Sequence, residues 1–409
     1  MPETRSNLGE FRLLLEELCC DLCRFEHTLH DGLAPEAVRI DREYWLSAGA
    51  FADIRVAPRG HSPYFVEVKY GYPNEQLVRN LSRKYAAAPS PNAALASKVV
   101  LVVDRASRHD WERLQREMVG CLRSGLTLDV WDESRLLTLL ADCFGIHISE
   151  VTPDSLLDAR QAIDRAKGFH AFGGPSISVY DHDPLNAELL WHFGFWRLKQ
   201  LRSAGRSSPR DILPPGPYKA VAVLLADLCS FSSYVRDTSD AEVVRESLTA
   251  FYSKARYQII NNGGMLYQFA GDEVIGLFGI PDHPDGFTDA VLDTARALCR
   301  IGESVTQHWQ RQIDRVQSAA GLHVGVALGD LQIVSLRPFS RLHVGAIGDC
   351  INMASRLLAL AGPGEVVLSN ALHQKLEEQS QRHCAEIEPV EARNVGRIRA
   401  WKLAPSAIQ

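Results

Sequence analysis

Two aspartates in this sequence stand where chemistry could be done. In "AVAVLLADLCSFSSYV", Ala220–Val235, an oily run ends in Asp227 and gives way to small hydroxyl and sulfur side chains. In "YQFAGDEVIGLFG", Asp272 sits between two short apolar runs. A lone aspartate at a strand end is usually a turn former or a helix cap. Two of them at one sheet edge repel each other and resist desolvation unless a cation lies between. Magnesium and manganese take oxygen ligands partly from one or two carboxylates and partly from substrate phosphates. Beyond Asp227 the chain turns into a helix, whose first backbone N–H groups suit phosphate oxygens. Metal with phosphate means nucleotide chemistry. A second pair, Asn352 and Arg356 in "GAIGDCINMASRLL", is four residues apart and shares one helix face.

These residues need a scaffold, and the pattern supplies one. A strand over Lys219–Leu225 leads to Asp227. The text "AEVVRESLTAFYSKARYQII" has Val244, Leu248, Phe251, Ala255 and Ile259 at helical spacing. "NNGG" turns the chain into "MLYQFA" and "EVIGLFG", a hairpin with Asp272 near its tip. A helix over Asp289–Gln312, a strand "GLHVGVALG" and a closing strand pair complete an α/β pattern. Upstream, "SAGRSSPRDILPPGP" reads as a linker. The expected division is residues 1–150, an α/β domain, then 151–216, a helical connector and linker, then 217–404. In the connector, "NAELLWHFGFWRLKQL" reads as one apolar helix.

Composition narrows the classes. At 409 residues the chain exceeds one ordinary core. A net charge of −6 argues against a generally basic, nucleic-acid-coating protein. No apolar run approaches a bilayer span and the start lacks an apolar signal core, so a cytoplasmic protein without membrane contact is expected. Cys19, Cys20 and Cys23 lie in helical text without a second ligand pair and read as buried free thiols, not a zinc site.

In order and spacing, "LLADLCSFSSY", "YQFAGDEVIGLFG", "HVGVALGD" and "GAIGDCINMASRL" resemble the catalytic domain of class III nucleotidyl cyclases, over nearly half the chain. The resemblance implies a ferredoxin-like α+β fold and two Mn²⁺ or Mg²⁺ ions per site. Asp227, Asp272 and the Leu228 carbonyl would hold the metals. The amides of Cys229, Ser230, Phe231 and Ser232 would hold the β- and γ-phosphates. Asn352 would orient the ribose and Arg356 would counter charge on the α-phosphate; the late phosphate-binding cation would be Arg393, favoured over Arg397. In that family the aspartates and the Asn/Arg pair of one site come from different subunits, so a homodimer with two shared sites is expected.

The family's purine-selecting positions read Gln268 and Gly345 here, departing from the Lys/Asp and Glu/Cys pairs. Gln268 offers donor and acceptor, and Gly345 offers no side chain. A smaller pyrimidine, with Tyr267 or His343 filling space, fits these departures. The sequence resembles the uridylate and cytidylate cyclases of the Pycsar anti-phage group, with UTP favoured over CTP and a cyclic-nucleotide-responsive effector downstream. The alternatives are an adenylate cyclase, a metal nuclease with an accessory cyclase-like module, and a non-catalytic nucleotide-binding regulator.

In "GAFADIRVAPRGHSPYFVEVKYGY", Asp53 precedes a strand, and Glu67 and Lys69 alternate onto one face of the next. This resembles the restriction-endonuclease-like PD-(D/E)xK core, in which two acids bind magnesium and the lysine positions water. Gln76 and Tyr85 on the following helix are compatible with it. An active nuclease, a degenerate sensory relative and an ordinary α/β domain all remain open. Contact with nucleic acid is expected only through this part.

Overall fold

A computed structural model describes residues 3–47, 49–86, 90–172, 184–206, 208–317, 319–336, 343–392 and 396–404. The chain divides into two compact units, 1–168 and 169–409. Each is an α/β unit with its own sheet.

The first unit opens with the long helix α1 (Glu3–His30). Its sheet has five strands in sequential order: β1 (Val38–Ser47), β2 (Ala50–Pro58), β3 (Tyr64–Val68), β4 (Lys98–Val102) and β5 (Thr127–Trp131). The first three pair antiparallel, and β3/β4 and β4/β5 pair parallel. Parallel neighbours need crossovers, supplied by α2 (Asn74–Tyr85) and α3 (Trp111–Gly120). The inner strands β3 and β4 are almost wholly buried, as their Val-rich text requires. α2 turns Leu77, Leu81 and Tyr85 inward at a spacing of four. After β5, α4 (Glu133–Phe144) is capped by the Asp132 side chain accepting from the Arg135 amide at 3.0 Å. Helix α5 (Pro153–Phe172) follows.

The second unit starts with α6 (Pro184–Ser203), which is not one continuous helix. Gly194 breaks it at φ 68°, ψ 172°. A Cβ there would press on Ile260 Cγ2 at 3.2 Å, so both the backbone angle and the packing ask for glycine. An eight-stranded sheet runs in the order β12-β13-β11-β9-β6-β8-β7, with β10 paired to β9. Its strands are β6 (Gly216–Leu228), β7 (Met265–Ala270), β8 (Glu273–Phe278), β9 (Leu322–Leu336), β10 (His343–Ile347), β11 (Val366–Ser369), β12 (Cys384–Ala392) and β13 (Gly396–Leu403). The oily run proves to be a central strand: β6 lies between β8 and β9 and is buried from Val221 to Ala226. Among the helices of this unit are α7 (Phe231–Asp237), α8 (Ala241–Asn261), α9 (Phe287–Ile313) and α10 (Asp349–Leu358). One core face packs α8 and α9 on the sheet, the other packs α6 and α10. Gly325 decides how near α10 comes, because a Cβ there would collide with the Ala354 carbonyl and Leu358 amide. That glycine seats the helix bearing Asn352 and Arg356 against β9.

Candidate active site

The three-strand register assembles the site. Asp227, near the end of β6, lies opposite Glu273 on β8 and His323 on β9. Asp272 follows Gly271, whose φ of +65° makes the β7–β8 turn. The turn is held from below: the Tyr252 hydroxyl donates to the Gly271 carbonyl, and its ring stacks on Phe269 at 4.1 Å between centroids. The two aspartates meet as the apolar text around them suggested.

Their charges conflict. Burial, then the proximity and hydrogen bond of Asp227, push the Asp272 carboxyl up to about 6. Burial and Asp227 also raise Glu273. The Cys229 thiol, pushed up to about 11 by burial and by the two aspartates, is no thiolate ligand at neutral pH. A cation between Asp227 and Asp272 would replace the proton that Asp272 tends to keep, so this donor set suits an oxygen-seeking divalent ion.

His323 is the residue that sequence reading missed. Its Nδ1 lies 2.9 Å from the Ala361 carbonyl, which can only accept, so Nδ1 carries a proton. Its Nε2 faces Asp227 Oδ2 at 3.3 Å. The hydrogen bond with Asp227 raises the imidazole's pKa above its usual value, against the opposing effect of burial. His323 thus ties the aspartate strand to the segment just after α10. In the sequence it sits inside "GLHVGVALG" as one more strand residue, and only the β6/β9 register reveals its partner.

Beyond Asp227, the Leu228 side chain is buried opposite Leu322. The Cys229 amide donates to the Gly321 carbonyl at 3.0 Å, which commits it and narrows the expected phosphate cradle to the amides of Ser230, Phe231 and Ser232. Ser230 has φ 60° and turns the chain sharply into α7. The first amides of a helix have no partner within it. On α10, Asn352 is exposed and Arg356 half-buried.

Gln268 is exposed on β7. Tyr267 stands at a bulge between Leu266 and Gln268, and its hydroxyl accepts from the Ala346 amide at 3.0 Å. Its ring packs against the core. Tyr267 is therefore a strut joining the strand of Gln268 to the strand of Gly345. Arg393 and the His343 side chain lie outside the described residues.

The first unit brings its own acids together. Asp53 stands within β2, not ahead of it. Lys69 Nζ lies 2.5 Å from Asp53 Oδ2 and 2.9 Å from Glu67 Oε2. A second lysine, Lys84 on α2, reaches Glu67 Oε2 at 2.6 Å, and the Tyr85 hydroxyl donates to Glu67 Oε1 at 2.5 Å. Gln76 lies on the same helix, near its start. Burial alone would push Asp53 up, but Lys69 and Lys84 outweigh it and hold that carboxyl below its usual range. The sequence signalled Tyr85; Lys84, one residue earlier, reads as a surface position. Cys19, Cys20 and Cys23 are free and buried.

A model of the adenylate and guanylate cyclase catalytic domain matches residues 213–404. An uncharacterized protein of Mycobacterium tuberculosis (strain ATCC 25618 / H37Rv) is 26% identical over 180 residues, 44% of this chain and 31% of its own length. A protein named adenylate cyclase from Mycobacterium tuberculosis (strain CDC 1551 / Oshkosh) is 23% identical over 186 residues, 46% of this chain and 40% of its own. The chain thus spans less than half the length of these relatives. The solved adenylyl cyclase CyaB from P. aeruginosa covers 46% of this chain and 94% of its own at 19% identity, TM-score 0.40. The guanylyl cyclase Cya2 covers 46% and 93% at 17% identity, TM-score 0.41. No helix among the described residues is long and apolar enough to cross a membrane. Residues 213–404, just under half of the chain, are thus similar to the catalytic domain of adenylate and guanylate cyclases.

Proposed function

We propose that this protein converts a nucleoside triphosphate to its 3′,5′-cyclic monophosphate and pyrophosphate. The observation that carries this reading is the Asp227/Asp272 pair at one sheet edge, where burial first and the charge of Asp227 second push the Asp272 carboxyl up to about 6. Asp227, Asp272 and the Leu228 carbonyl would hold two divalent cations, Mn²⁺ or Mg²⁺, with phosphate oxygens completing the coordination. Such cations, when bound, favour the ionised ribose 3′-oxygen and steady the departing pyrophosphate. The amides of Ser230, Phe231 and Ser232, with Arg393, would bind the β- and γ-phosphates. Asn352 would fix the ribose so that O3′ faces the α-phosphorus. As the O3′–P bond forms and the bond to the bridging oxygen breaks, Arg356 would counter the charge on the α-phosphate oxygens. The hydroxyl proton leaves to solvent. In a homodimer, Asn352 and Arg356 would serve the aspartates of the partner.

The substrate in this reading is a pyrimidine triphosphate, UTP before CTP, and the product an anti-phage signal for a downstream effector. The departures at Gln268 and Gly345 support it: one adaptable amide and an empty position do not make the paired contacts a purine edge needs. Adenylate cyclase is the alternative.

The test is incubation of the full chain with each of ATP, GTP, CTP and UTP plus manganese, followed by chromatographic separation. Cyclic UMP is expected to dominate. Cyclic AMP alone would sink the pyrimidine reading, and no product from any triphosphate would sink the cyclase reading. Asp227→Asn and Arg356→Ala, each inactive alone, should regain about a quarter of wild-type activity when co-assembled, because each mixed dimer keeps one intact site.

A further inference from the structure

The first unit holds an acid–acid–lysine set that invites a divalent cation, and the geometry speaks against one. Two carboxylates, Asp53 and Glu67, face two ammonium groups, Lys69 and Lys84, so the charges cancel without a metal. Three of the four carboxylate oxygens have hydrogen-bond donors. Glu67 Oε2 lies between Lys84 Nζ at 2.6 Å and Lys69 Nζ at 2.9 Å. Glu67 Oε1 accepts from Tyr85 at 2.5 Å. Asp53 Oδ2 accepts from Lys69 at 2.5 Å and from the Val68 amide at 2.7 Å. The fourth, Asp53 Oδ1, already has Lys84 Nζ at 3.9 Å.

A magnesium or manganese ion needs about six oxygens in a near-octahedral shell. Here it would have to expel an ammonium group from contact with Glu67, whose side chain has 0% exposure, and it would add two positive charges beside two lysines. Neither lysine is free to step aside into water, since each has a side-chain exposure of 7%. Lys84 is carried in by α2, which is anchored by Leu77, Leu81 and Tyr85, so its position is fixed by the helix packing on the sheet.

We propose that Lys84 is a built-in counter-cation for the Asp53/Glu67 pair. It closes the pair to divalent metal, and the first unit does not hydrolyse nucleic acid by metal chemistry. Removing the Lys84 ammonium exposes a divalent-cation site.

Manganese binding to the full chain, followed by electron paramagnetic resonance, tests this. Lys84→Met should bind about one Mn²⁺ more per chain than wild type, and the charge-balanced double variant Lys84→Met/Glu67→Gln should lose that extra ion. A folded Lys84→Met with wild-type stoichiometry overturns the proposal. The wild-type chain gives a reading that needs no variant. Hydrogen exchange at the Val68 amide should be the same with Mn²⁺ or with chelator, and supercoiled DNA should survive Mn²⁺ uncut. Manganese-dependent protection at Val68, or cleavage abolished by Glu67→Gln, also overturns it. These outcomes are independent of nucleotide turnover, so the fate of the cyclase reading does not enter them.

Discussion

The two acid pairs of this protein are built from the same chemistry and left in opposite states. Asp227 and Asp272 meet at a strand edge with one imidazole beside them, and Asp272 responds by holding its proton up to about 6. Asp53 and Glu67 meet deeper in a sheet with two lysines between them, and Asp53 is held below its usual range. Paired carboxylates therefore do not by themselves mark a metal site. What matters is whether the fold supplies the counter-charge. Where it does, the acids are spent on structure. Where it leaves the charge unmatched, it sacrifices some local stability and leaves room for a ligand, as functional sites commonly do.

The largest effect expected from this contrast is on turnover. Asp272→Asn should lower cyclase activity by about a thousandfold, the scale of several kcal/mol that metal ligation supplies to charge stabilisation. Its unfolding midpoint in chelator should hold or rise, because the substitution removes a repulsion. Glu67→Gln should do the reverse in its own unit. It leaves two buried lysines with one carboxylate, and breaking a buried pair costs about 3–5 kcal/mol. Denaturant unfolding of the two variants beside wild type checks both. A stable Glu67→Gln together with a destabilised Asp272→Asn would break the comparison.

Next in size is the effect of His323, whose imidazole partly balances the open pair. Asparagine places its amide nitrogen near the position of Nδ1, and glutamine near that of Nε2. His323→Asn should keep the bond to Ala361 and lose the contact with Asp227, weakening Mn²⁺ binding by about 10–100-fold. His323→Gln should keep the Asp227 contact and bind Mn²⁺ much as wild type does. Calorimetric or paramagnetic titration separates the two, and melting temperature reports whether a change is only structural. Equal Mn²⁺ affinity in His323→Asn and wild type would remove His323 from any part in the site.

The acids themselves were readable in the sequence, and the groups that balance them were not. Apolar runs that end at Asp227 and Asp272 announce buried strands with acids at their tips, and two such acids brought together need a counter-charge that a lone turn-forming aspartate does not. The alternation of "FVEVKY" likewise puts Glu67 and Lys69 on one face. His323 is 96 residues from Asp227, and its partnership depends on β6 pairing with β9 in one register. A shift of one residue would turn it away. Lys84 precedes Tyr85 on α2, where helical periodicity assigns the inward face to Leu77, Leu81 and Tyr85. Its burial follows from how the helix lies on the sheet. Gly194 shows the same limit: "WHFGFWRL" reads as unbroken helix, and the break appears only when Ile260 packs against it.

The smallest effect is a pH dependence in the closed pair. Asp53 has its native pKa depressed below the value of about 3.9 expected for an unfolded chain. Between those two values the unfolded state binds more protons than the native state, so acid favours unfolding. The contribution of Asp53 to stability is complete above about pH 4 and is lost as pH falls through its native pKa. Hydrogen exchange at the Val68 amide, which donates to Asp53, should show protection falling in that acid range once the intrinsic pH dependence is divided out. Asp53→Asn cannot ionise, so its protection should be lower at neutral pH and flat through the same range. If the variant keeps the wild-type slope, the lysines are not what holds Asp53 ionised. The contrast between a filled and an unfilled acid pair would then have to rest on burial, which acts on both pairs in the same direction and cannot by itself account for their opposite shifts.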